Sequence, residues 1–328
     1  MQHISPTSLL QSIERILFVM DLSVRDLIYF QSYLTDFARI YPQTKFDLMI
    51  KAREHFFLTR NKSFQIKVLK DVFKEQRLIS NIYFDPSSSQ KLIRQAQSMK
   101  YQSIVLLDKN AQTKNIELAI KINPKSSLIG TTTKTKWYNV LKKRAYKSLN
   151  FSIEVTPHEH AELNNFYASI FSYLNGKDVK LKPLLNIPKK WVIYAKLRFM
   201  KWGINKKNQD FGRVFFINPF DDDCNCVCPL KNLFNAIITL KQQDEWGDVT
   251  CILHTPPQKF YEVKRFFADH SVNNLFLLSA DYDFFQIPAI LSLCDAVFSV
   301  DGLCVDLASA LNVQAFAIDK LNNIKNNE

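Results

Sequence analysis

Short apolar runs alternate with longer amphipathic stretches along the first 130 residues. Ile16–Asp21 is predicted to be a buried strand, Asp26–Ile40 a helix with one apolar face, and Phe46–Lys51 a second strand. The series continues with predicted strands at Ile79–Phe84, Ser103–Asp108 and, as the last strand, Ser127–Ile129, and with helices at Gln90–Ser98 and Lys114–Ile122. Strands that alternate with helices predict a parallel sheet that is covered on both faces.

The same alternation returns in the second half of the chain. Strands are predicted at Arg213–Asn218, Val249–His254, Asn274–Ser279, Ala296–Val300 and Val313–Ile318, and helices at Pro229–Lys241, Gln258–Asp269, Phe284–Leu293 and Leu303–Leu311. Between the halves, Pro183 and Pro188 interrupt a Lys-rich stretch, which indicates a connection between domains. We therefore predict an α/β protein with two doubly wound, Rossmann-like domains that face a cleft, 1–185 and 211–328, joined by residues 186–210.

The composition is that of a folded protein of this size. The chain has 328 residues, 47% of them hydrophobic, which corresponds to two domains at roughly 100–200 residues each. The first strongly apolar stretch, Ile16–Met20, is followed at once by Asp21, and no apolar run approaches the ~18 residues of a membrane span. We therefore predict a cytoplasmic protein.

Charge is distributed unequally between the two halves. Residues 1–210 carry 35 Lys and Arg against 16 Asp and Glu, a net charge of +19, whereas residues 211–328 carry 8 against 15, a net charge of −7. A strongly basic half is typical of a protein that meets a polyanion, such as nucleic acid, anionic lipid or a phosphorylated saccharide. A merely lysine-rich surface is the alternative. We expect no nucleic-acid partner, because the basic residues are dispersed and form no known reader motif.

Two clusters have residue types that bind metals, but their spacing is wrong for it. Cys224, Cys226 and Cys228 form a C-x-C-x-C run, whereas zinc sites usually use C-x₂₋₄-C pairs and a fourth ligand at matching spacing. His158 and His160 lie two residues apart, and such positions do not share a helix face. We therefore predict reduced thiols in a turn, a solvated helix start, and no metal site.

Polar residues at the ends of predicted strands are the candidates for chemistry, because doubly wound domains bind ligands at the carboxyl ends of their strands. The first strand is followed by Ser23, Arg25 and Asp26. The Asp26 carboxylate could act as a general base toward a hydroxyl group, or it could simply cap the helix.

A second candidate lies where the strand Ala296–Val300 runs into a helix. The segment contains Asp301, Gly302, Leu303 and Asp306. Free N–H groups at a helix N-terminus suit an anion, and a diphosphate is a common one.

These segments carry a resemblance to one known family. The strand Ile16–Val19, a turn that contains Ser23 and Arg25-Asp26, the pair Tyr41-Pro42 and the strand Phe46–Met49 resemble the opening of the heptosyltransferase-like glycosyltransferases. In the second half, Arg213–Pro219 is similar to the strand and loop that open the family's donor domain. Ile290–Asp301 is similar to an element of the family in which a helix, an A-D pair and a strand are followed by D-T-G. Leu307–Leu311 is similar to the family's L-A-x-A-L helix.

The resemblance implies a GT-B type fold with an acceptor-binding domain, 1–185, and a nucleotide-sugar donor domain, 211–328. It implies metal-independent transfer of a heptose, with inversion, from ADP-heptose to the inner core of lipopolysaccharide or lipooligosaccharide. The protein would act as a monomer without a cofactor, at the inner face of the cytoplasmic membrane. The +19 half suits a phosphorylated, Kdo-bearing lipid acceptor.

The resemblance also implies roles for individual residues. Asp26 corresponds to the catalytic base. The expected acceptor-binding residues are Ser23, Arg25, Arg53, Arg60 and Lys62, and the expected donor-binding residues are Asn218, Pro219, Asp301, Gly302, Leu303 and Asp306.

Departures from the family pattern define the alternative function. Arg25 stands where the family has Gly, Asp306 where it has His, and Asp221–Asp223 where it often has Lys. The alternative is a catalytically degenerate relative that binds a glycolipid or a protein.

Overall fold

The computed structural model describes residues 6–22, 24–52, 72–73, 78–84, 90–107, 112–133, 140–156, 162–204, 212–220, 226, 229–243, 248–280 and 283–318. The chain divides into two compact units, Met1–Pro183 and Leu184–Glu328. Each unit contains a parallel β-sheet with flanking helices. The prediction of two Rossmann-like α/β domains is therefore confirmed.

The first unit contains, within its described residues, a six-stranded sheet with the order β3-β2-β1-β4-β5-β6, in which every neighbouring pair is parallel. Its elements are α1 (Pro6–Leu10), β1 (Arg15–Leu22), α2 (Val24–Ile40), β2 (Lys45–Ala52), β3 (Ile79–Phe84), α3 (Gln90–Ser98), β4 (Ser103–Leu107), α4 (Gln112–Ile122), β5 (Ser127–Thr132), α5 (Val140–Tyr146), β6 (Phe151–Glu154) and α6 (Leu163–Asn175). The strand order reverses between β1 and β4, which makes the carboxyl end of β1 the topological switch point.

Burial on both faces of the sheet explains why β1 is a continuous apolar run. Residues Ile16–Met20 are all fully buried. On one face, Phe18 contacts the rings of Phe30 and Phe37 from α2 and of Phe171 from α6. On the other face, the neighbouring β1 residues pack in a second apolar cluster with α3 and α4. Packing against the sheet and against α6 thus fixes the start of α2 at the switch point.

The second unit contains a five-stranded parallel sheet within its described residues, with the order β11-β10-β7-β8-β9. Its elements are α7 (Lys189–Lys201), β7 (Val214–Asn218), α8 (Leu230–Lys241), β8 (Thr250–His254), α9 (Phe260–Asp269), β9 (Leu275–Leu278), α10 (Gln286–Leu291), β10 (Ala296–Ser299), α11 (Gly302–Ala310) and β11 (Gln314–Ala317). The switch point is the carboxyl end of β7, between β10 and β8.

Most predicted elements are confirmed, and one statement about the first sheet is wrong. Every predicted helix and strand from Arg213 onward has its counterpart, with ends that differ by no more than a few residues. The strand near Ser127–Ile129 is not the last of its sheet, because β6 pairs beside it from Ile129 to Thr132. Residues 186–210, predicted as a connection, contain the helix α7, which packs against α10 in the second unit.

Candidate active site

The switch point of the first sheet holds a buried carboxylate. Asp26 is the third residue of α2 and only 2% exposed, and its Oδ1 accepts a hydrogen bond of 3.2 Å from the Tyr167 hydroxyl of α6. The position in the first turn is favourable for a negative charge, because the helix dipole presents its positive end there. A helix N-terminus, a buried carboxylate and a phenol therefore meet at the sheet edge where ligands of this fold class bind.

Of the other predicted acceptor-binding residues, the structure describes one. Arg25 lies in the first turn of α2 with its side chain exposed, next to Asp26 in sequence. The remaining four, Ser23, Arg53, Arg60 and Lys62, lie outside the described residues.

A second buried carboxylate, Asp47, lies away from this edge. It is fully buried in the first half of β2 and receives hydrogen bonds from Arg15 Nη1 at 3.0 Å, Tyr101 Oη at 2.7 Å and the Asn81 backbone N–H at 2.9 Å. Burial, with the neighbouring Tyr83 and Asp47, raises the pKa of Tyr101, so that this phenol stays a protonated donor. Asp47 therefore ties together three strands and does not belong to the candidate site.

The switch point of the second sheet is a buried polar network centred on Asn218. This last residue of β7 is 2% exposed, and its Nδ2 donates to Ser299 Oγ at the end of β10, at 3.2 Å. Its Oδ1 accepts from the backbone N–H of Phe220 at 3.3 Å and lies 3.1 Å from Nδ1 of His254, the last residue of β8. Three adjacent strands thus contribute one polar side chain each at their carboxyl ends.

His254 and Thr255 are residues that the sequence reasoning missed. Burial lowers the pKa of His254 to about 4, so the ring is neutral near pH 7. Because the amide Oδ1 of Asn218 can only accept a hydrogen bond, the neutral His254 ring carries its proton on Nδ1, and Nε2 is an acceptor. His254 Nε2 and Thr255 Oγ1 are buried and have no hydrogen-bond partner among the described residues. The available signal was a polar residue, His254, at the carboxyl end of the predicted strand, directly after the apolar run Cys251–Leu253.

The predicted donor residues on α11 are brought to the same edge. Asp301 caps this helix, and its Oδ1 accepts from the Leu303 N–H at 2.8 Å, while its own N–H donates to Ser299 Oγ at 3.0 Å. The Leu303 N–H, which the sequence analysis left free for an anion, is therefore used within the chain. Gly302 is exposed at the start of the helix, and Asp306 is half-buried one turn later.

Pro219 follows β7 directly and is buried next to Asn218 in sequence. It ends the strand at the switch point, where it cannot donate a further ladder hydrogen bond.

Metal ligands do not converge in the part of the chain that the structure describes. Cys226 is half-buried and pairs as an isolated bridge with Phe220, whereas Cys224, Cys228, His158 and His160 lie outside the described residues. None of the helices among the described residues is long and apolar enough to cross a membrane.

The two-sheet architecture defines a class, the GT-B type fold, and solved structures of this class match almost the whole chain. A glycosyl transferase of family 9 from Veillonella parvula matches with a TM-score of 0.64 and 12% identity, over 95% of this chain and 82% of that chain. The ADP-heptose lipopolysaccharide heptosyltransferase II of E. coli matches with a TM-score of 0.59 and 15% identity, over 92% and 83%. The resemblance to heptosyltransferases is thus confirmed for the fold.

The same fold also occurs in enzymes with other chemistry. A UDP-GlcNAc 2-epimerase from Neisseria meningitidis, bound to UDP-GlcNAc, matches with a TM-score of 0.50 and 13% identity, over 92% of this chain and 82% of that chain. No protein-family model and no curated protein sequence matches the chain. At these identities the comparisons establish the fold, and the chemistry has to be argued from the site residues.

Proposed function

We propose that this protein is a glycosyltransferase that moves a sugar, a heptose, from a nucleotide-sugar donor to the inner core of lipopolysaccharide or lipooligosaccharide, with inversion. The observation that carries the proposal is that, in a GT-B type fold, buried polar residues lie at the switch points of both sheets. Asp26 lies at the carboxyl edge of the first sheet, and Asn218, Ser299 and His254 lie at that of the second. One edge would serve the acceptor and the other the donor.

In this mechanism the Asp26 carboxylate removes the proton from the attacking acceptor hydroxyl. The acceptor oxygen forms its bond to the anomeric carbon while the bond from that carbon to the nucleotide diphosphate breaks on the opposite face, so the configuration inverts. The hydrogen bond from the Tyr167 hydroxyl to Oδ1 holds the carboxylate in one orientation, ready to accept the proton. Arg25, exposed beside it, would contact the anionic acceptor.

The donor would bind at the carboxyl end of β7, as ligands of doubly wound domains do. There Gly302 at the start of α11 permits close approach of a diphosphate. The Thr255 hydroxyl could donate a hydrogen bond to a donor oxygen, and the His254 Nε2 acceptor could receive one from a hydroxyl of the nucleotide sugar. We further propose that the donor is ADP-heptose, that transfer needs no metal, and that the protein works as a monomer in contact with the cytoplasmic face of the inner membrane. Transfer should then persist in the presence of EDTA.

The first test is thermal unfolding of the whole protein with ADP, ADP-heptose or UDP-GlcNAc. A ligand that binds only the folded state at 100 times its Kd adds about 2.7 kcal/mol to its stability. A shift with ADP and ADP-heptose but not with UDP-GlcNAc supports the proposal. A shift with UDP-GlcNAc alone would contradict the choice of donor.

The second test is the variant Asp26→Asn, assayed for transfer to a phosphorylated, Kdo-bearing lipid acceptor. We expect kcat to fall by about 10²–10⁴ with an unchanged thermal shift by ADP, since general bases contribute typically that much. Asp36→Asn is the matched control, because it makes the same change further along α2. Turnover that is unchanged in Asp26→Asn would refute the assignment.

The alternative is a degenerate relative that binds a glycolipid or a protein without transferring a sugar. The capped Leu303 N–H and the acidic side chains of Asp301 and Asp306 favour it, because they leave few donors for a diphosphate. No thermal shift with any nucleotide at millimolar concentration, together with binding of the glycolipid, would establish this alternative.

A further inference from the structure

Helix α7 combines high positive charge with an apolar surface. Its sequence is KKWVIYAKLRFMK, with no acidic residue. Its cationic residues are Lys189, Lys190, Lys196, Arg198 and Lys201. It opens the second unit, whose chain from Phe211 onward is acidic, so this charge is a local feature.

One face of α7 is attached to its own unit. Ala195 is fully buried and Phe199 is 4% exposed, and the helix packs against α10. Behind it, Trp202 stacks on Phe276 with the ring centroids 5.3 Å apart, and the Arg198 guanidinium lies 4.9 Å from the centre of the Trp202 ring. The orientation of the helix about its axis is therefore fixed by packing.

The opposite face presents large apolar side chains to solvent. Ile193 is 48% exposed, Leu197 59% and Met200 70%. They are spaced by four and three residues, so at ~100° per residue they lie within about 60° of one another. Three exposed apolar residues in one stripe on a single helix are unlike the scattered single apolar residues of an ordinary protein surface.

Lysines border this stripe on both sides. The same rotation per residue places Lys189 and Lys196 along one edge and Lys190 and Lys201 along the other. All four side chains are exposed, and none of them forms an ion pair within the described residues. The surface of α7 is thus an apolar stripe bordered by four exposed ammonium groups, of which that of Lys190 lies 5.6 Å from the centre of the Trp191 ring.

We infer that α7 docks the protein on an anionic lipid bilayer, with its axis in the plane of the interface. An apolar stripe that is bordered by lysines is the pattern of helices that insert one face among lipid headgroups, while the lysine stems let the ammonium groups reach the phosphates. A second copy of the chain is a poor occupant, because it would place four more lysines against these four. The inference rests on the side chains of α7 and does not depend on the proposed donor or acceptor sites.

The test is co-sedimentation of the full chain, without nucleotide, with vesicles of phosphatidylcholine that contain about one third phosphatidylglycerol. We expect binding that weakens as NaCl is raised from about 50 to 200 mM, and at least about tenfold weaker binding to pure phosphatidylcholine. Equal binding to both vesicles, or none to either, would overturn the inference.

Charge variants test the lysine border. Lys190→Gln with Lys201→Gln should weaken binding to the anionic vesicles about 25-fold, since one basic residue near such a surface contributes about fivefold. Lys231→Gln with Lys264→Gln removes the same charge from exposed positions elsewhere in the second unit and should leave binding unchanged. Equal losses in both pairs would mean a general charge effect and would overturn the assignment to α7.

Apolar variants test the stripe itself. Leu197→Gln with Met200→Gln should weaken binding about tenfold or more, because the apolar area then no longer enters the membrane. Tyr261→Gln, at a side chain that is 82% exposed on α9, is the control and should bind normally. Undiminished vesicle binding by the α7 variant would contradict the inference. The inference would also fail if the wild-type protein were a dimer and these substitutions made it a monomer, because the stripe would then bind a second copy of the chain. The ADP thermal shift of these variants reports separately on the proposed function.

Discussion

Two aspartates of the first unit are about equally buried and differ in their position along the strands. Asp47 lies in the first half of β2 among side chains that satisfy it, whereas Asp26 lies at the carboxyl edge of the sheet, at the start of α2. Ligands of doubly wound sheets bind at the second position and not at the first. Burial therefore identifies both as important, and the strand end separates the candidate base from the structural carboxylate.

The structural role predicts a large stability loss for Asp47→Ala. The change leaves Arg15, Tyr101 and Asn81 without their acceptor in a buried setting, so we expect the free energy of unfolding to fall by about 3 kcal/mol. Urea unfolding followed by fluorescence measures it. Tyr101→Phe removes one hydrogen bond and serves as the smaller reference, at about 1 kcal/mol. If Asp47→Ala lost less unfolding free energy than Tyr101→Phe, the structural role of Asp47 would be contradicted.

The buried His254 predicts a specific loss of stability in acid. Its pKa is about 4 in the folded protein against 6.5 when unfolded, so below pH 6.5 the unfolded chain takes up a proton that the folded chain resists. Stability should therefore be complete above pH 6.5 and decrease by about 3 kcal/mol toward pH 4.

Urea unfolding between pH 7 and 4.5 checks this, with His254→Gln as the test variant. An amide at this position can still bond to Asn218 but cannot titrate, so the decline with falling pH should be shallower. His270→Gln replaces an exposed histidine of the same unit and should keep the wild-type decline. The prediction fails when both variants follow the wild type.

At the scale of elements, the sequence was most informative where a strand is buried on both faces. β1, β4, β7 and β8 are apolar throughout apart from their ends, and all four were predicted. β6 was missed because it is a four-residue edge strand in which only Ile153 is buried, which leaves no apolar run to detect. The contact between Tyr167 and Asp26 could not be predicted at all, since it joins residues 141 positions apart.

The end of α6 provides a prediction about an element boundary. Gly176 terminates the helix at φ 67°, and an added Cβ would lie 2.6 Å from Thr7 Oγ1 of α1. Gly176→Ala should cost about 1 kcal/mol for the left-handed backbone and more for the contact. Gly203→Ala, at φ 76° with no heavy atom within 4 Å of its Cβ, carries the backbone cost alone.

Urea unfolding of the two alanine variants separates the cost of the left-handed backbone from the cost of the contact with Thr7. We expect Gly176→Ala to lose more stability than Gly203→Ala, and Thr7→Ala in the Gly176→Ala background to recover part of the difference. Equal losses of stability in the two glycine variants would show that Thr7 and α1 move aside without a measurable loss of free energy.

At the scale of the whole molecule, each unit repeats one plan with different chemistry. Both sheets place buried polar residues at the carboxyl edge beside the switch point, a carboxylate in the first and an uncharged amide, hydroxyl and imidazole in the second. The charge differs as well: Met1–Pro183 carries 28 Lys and Arg against 15 Asp and Glu, a net charge of +13, whereas Leu184–Glu328 carries 15 against 16, a net charge of −1. If the first unit serves an anionic acceptor, only that substrate should gain from the long-range field.

Salt should therefore act on the two substrates unequally. Raising NaCl from about 50 to 200 mM shortens the distance over which exposed charges act, so we expect the KM for a phosphorylated, Kdo-bearing lipid acceptor to rise several-fold. The KM for the nucleotide sugar should change much less, because residues 211–328 carry net negative charge and provide no such attraction. Steady-state kinetics with each substrate varied in turn measures both values, and a dephosphorylated acceptor is the control whose KM should respond weakly to salt. An equal rise of both KM values would show that the basic half does not select the acceptor by its charge.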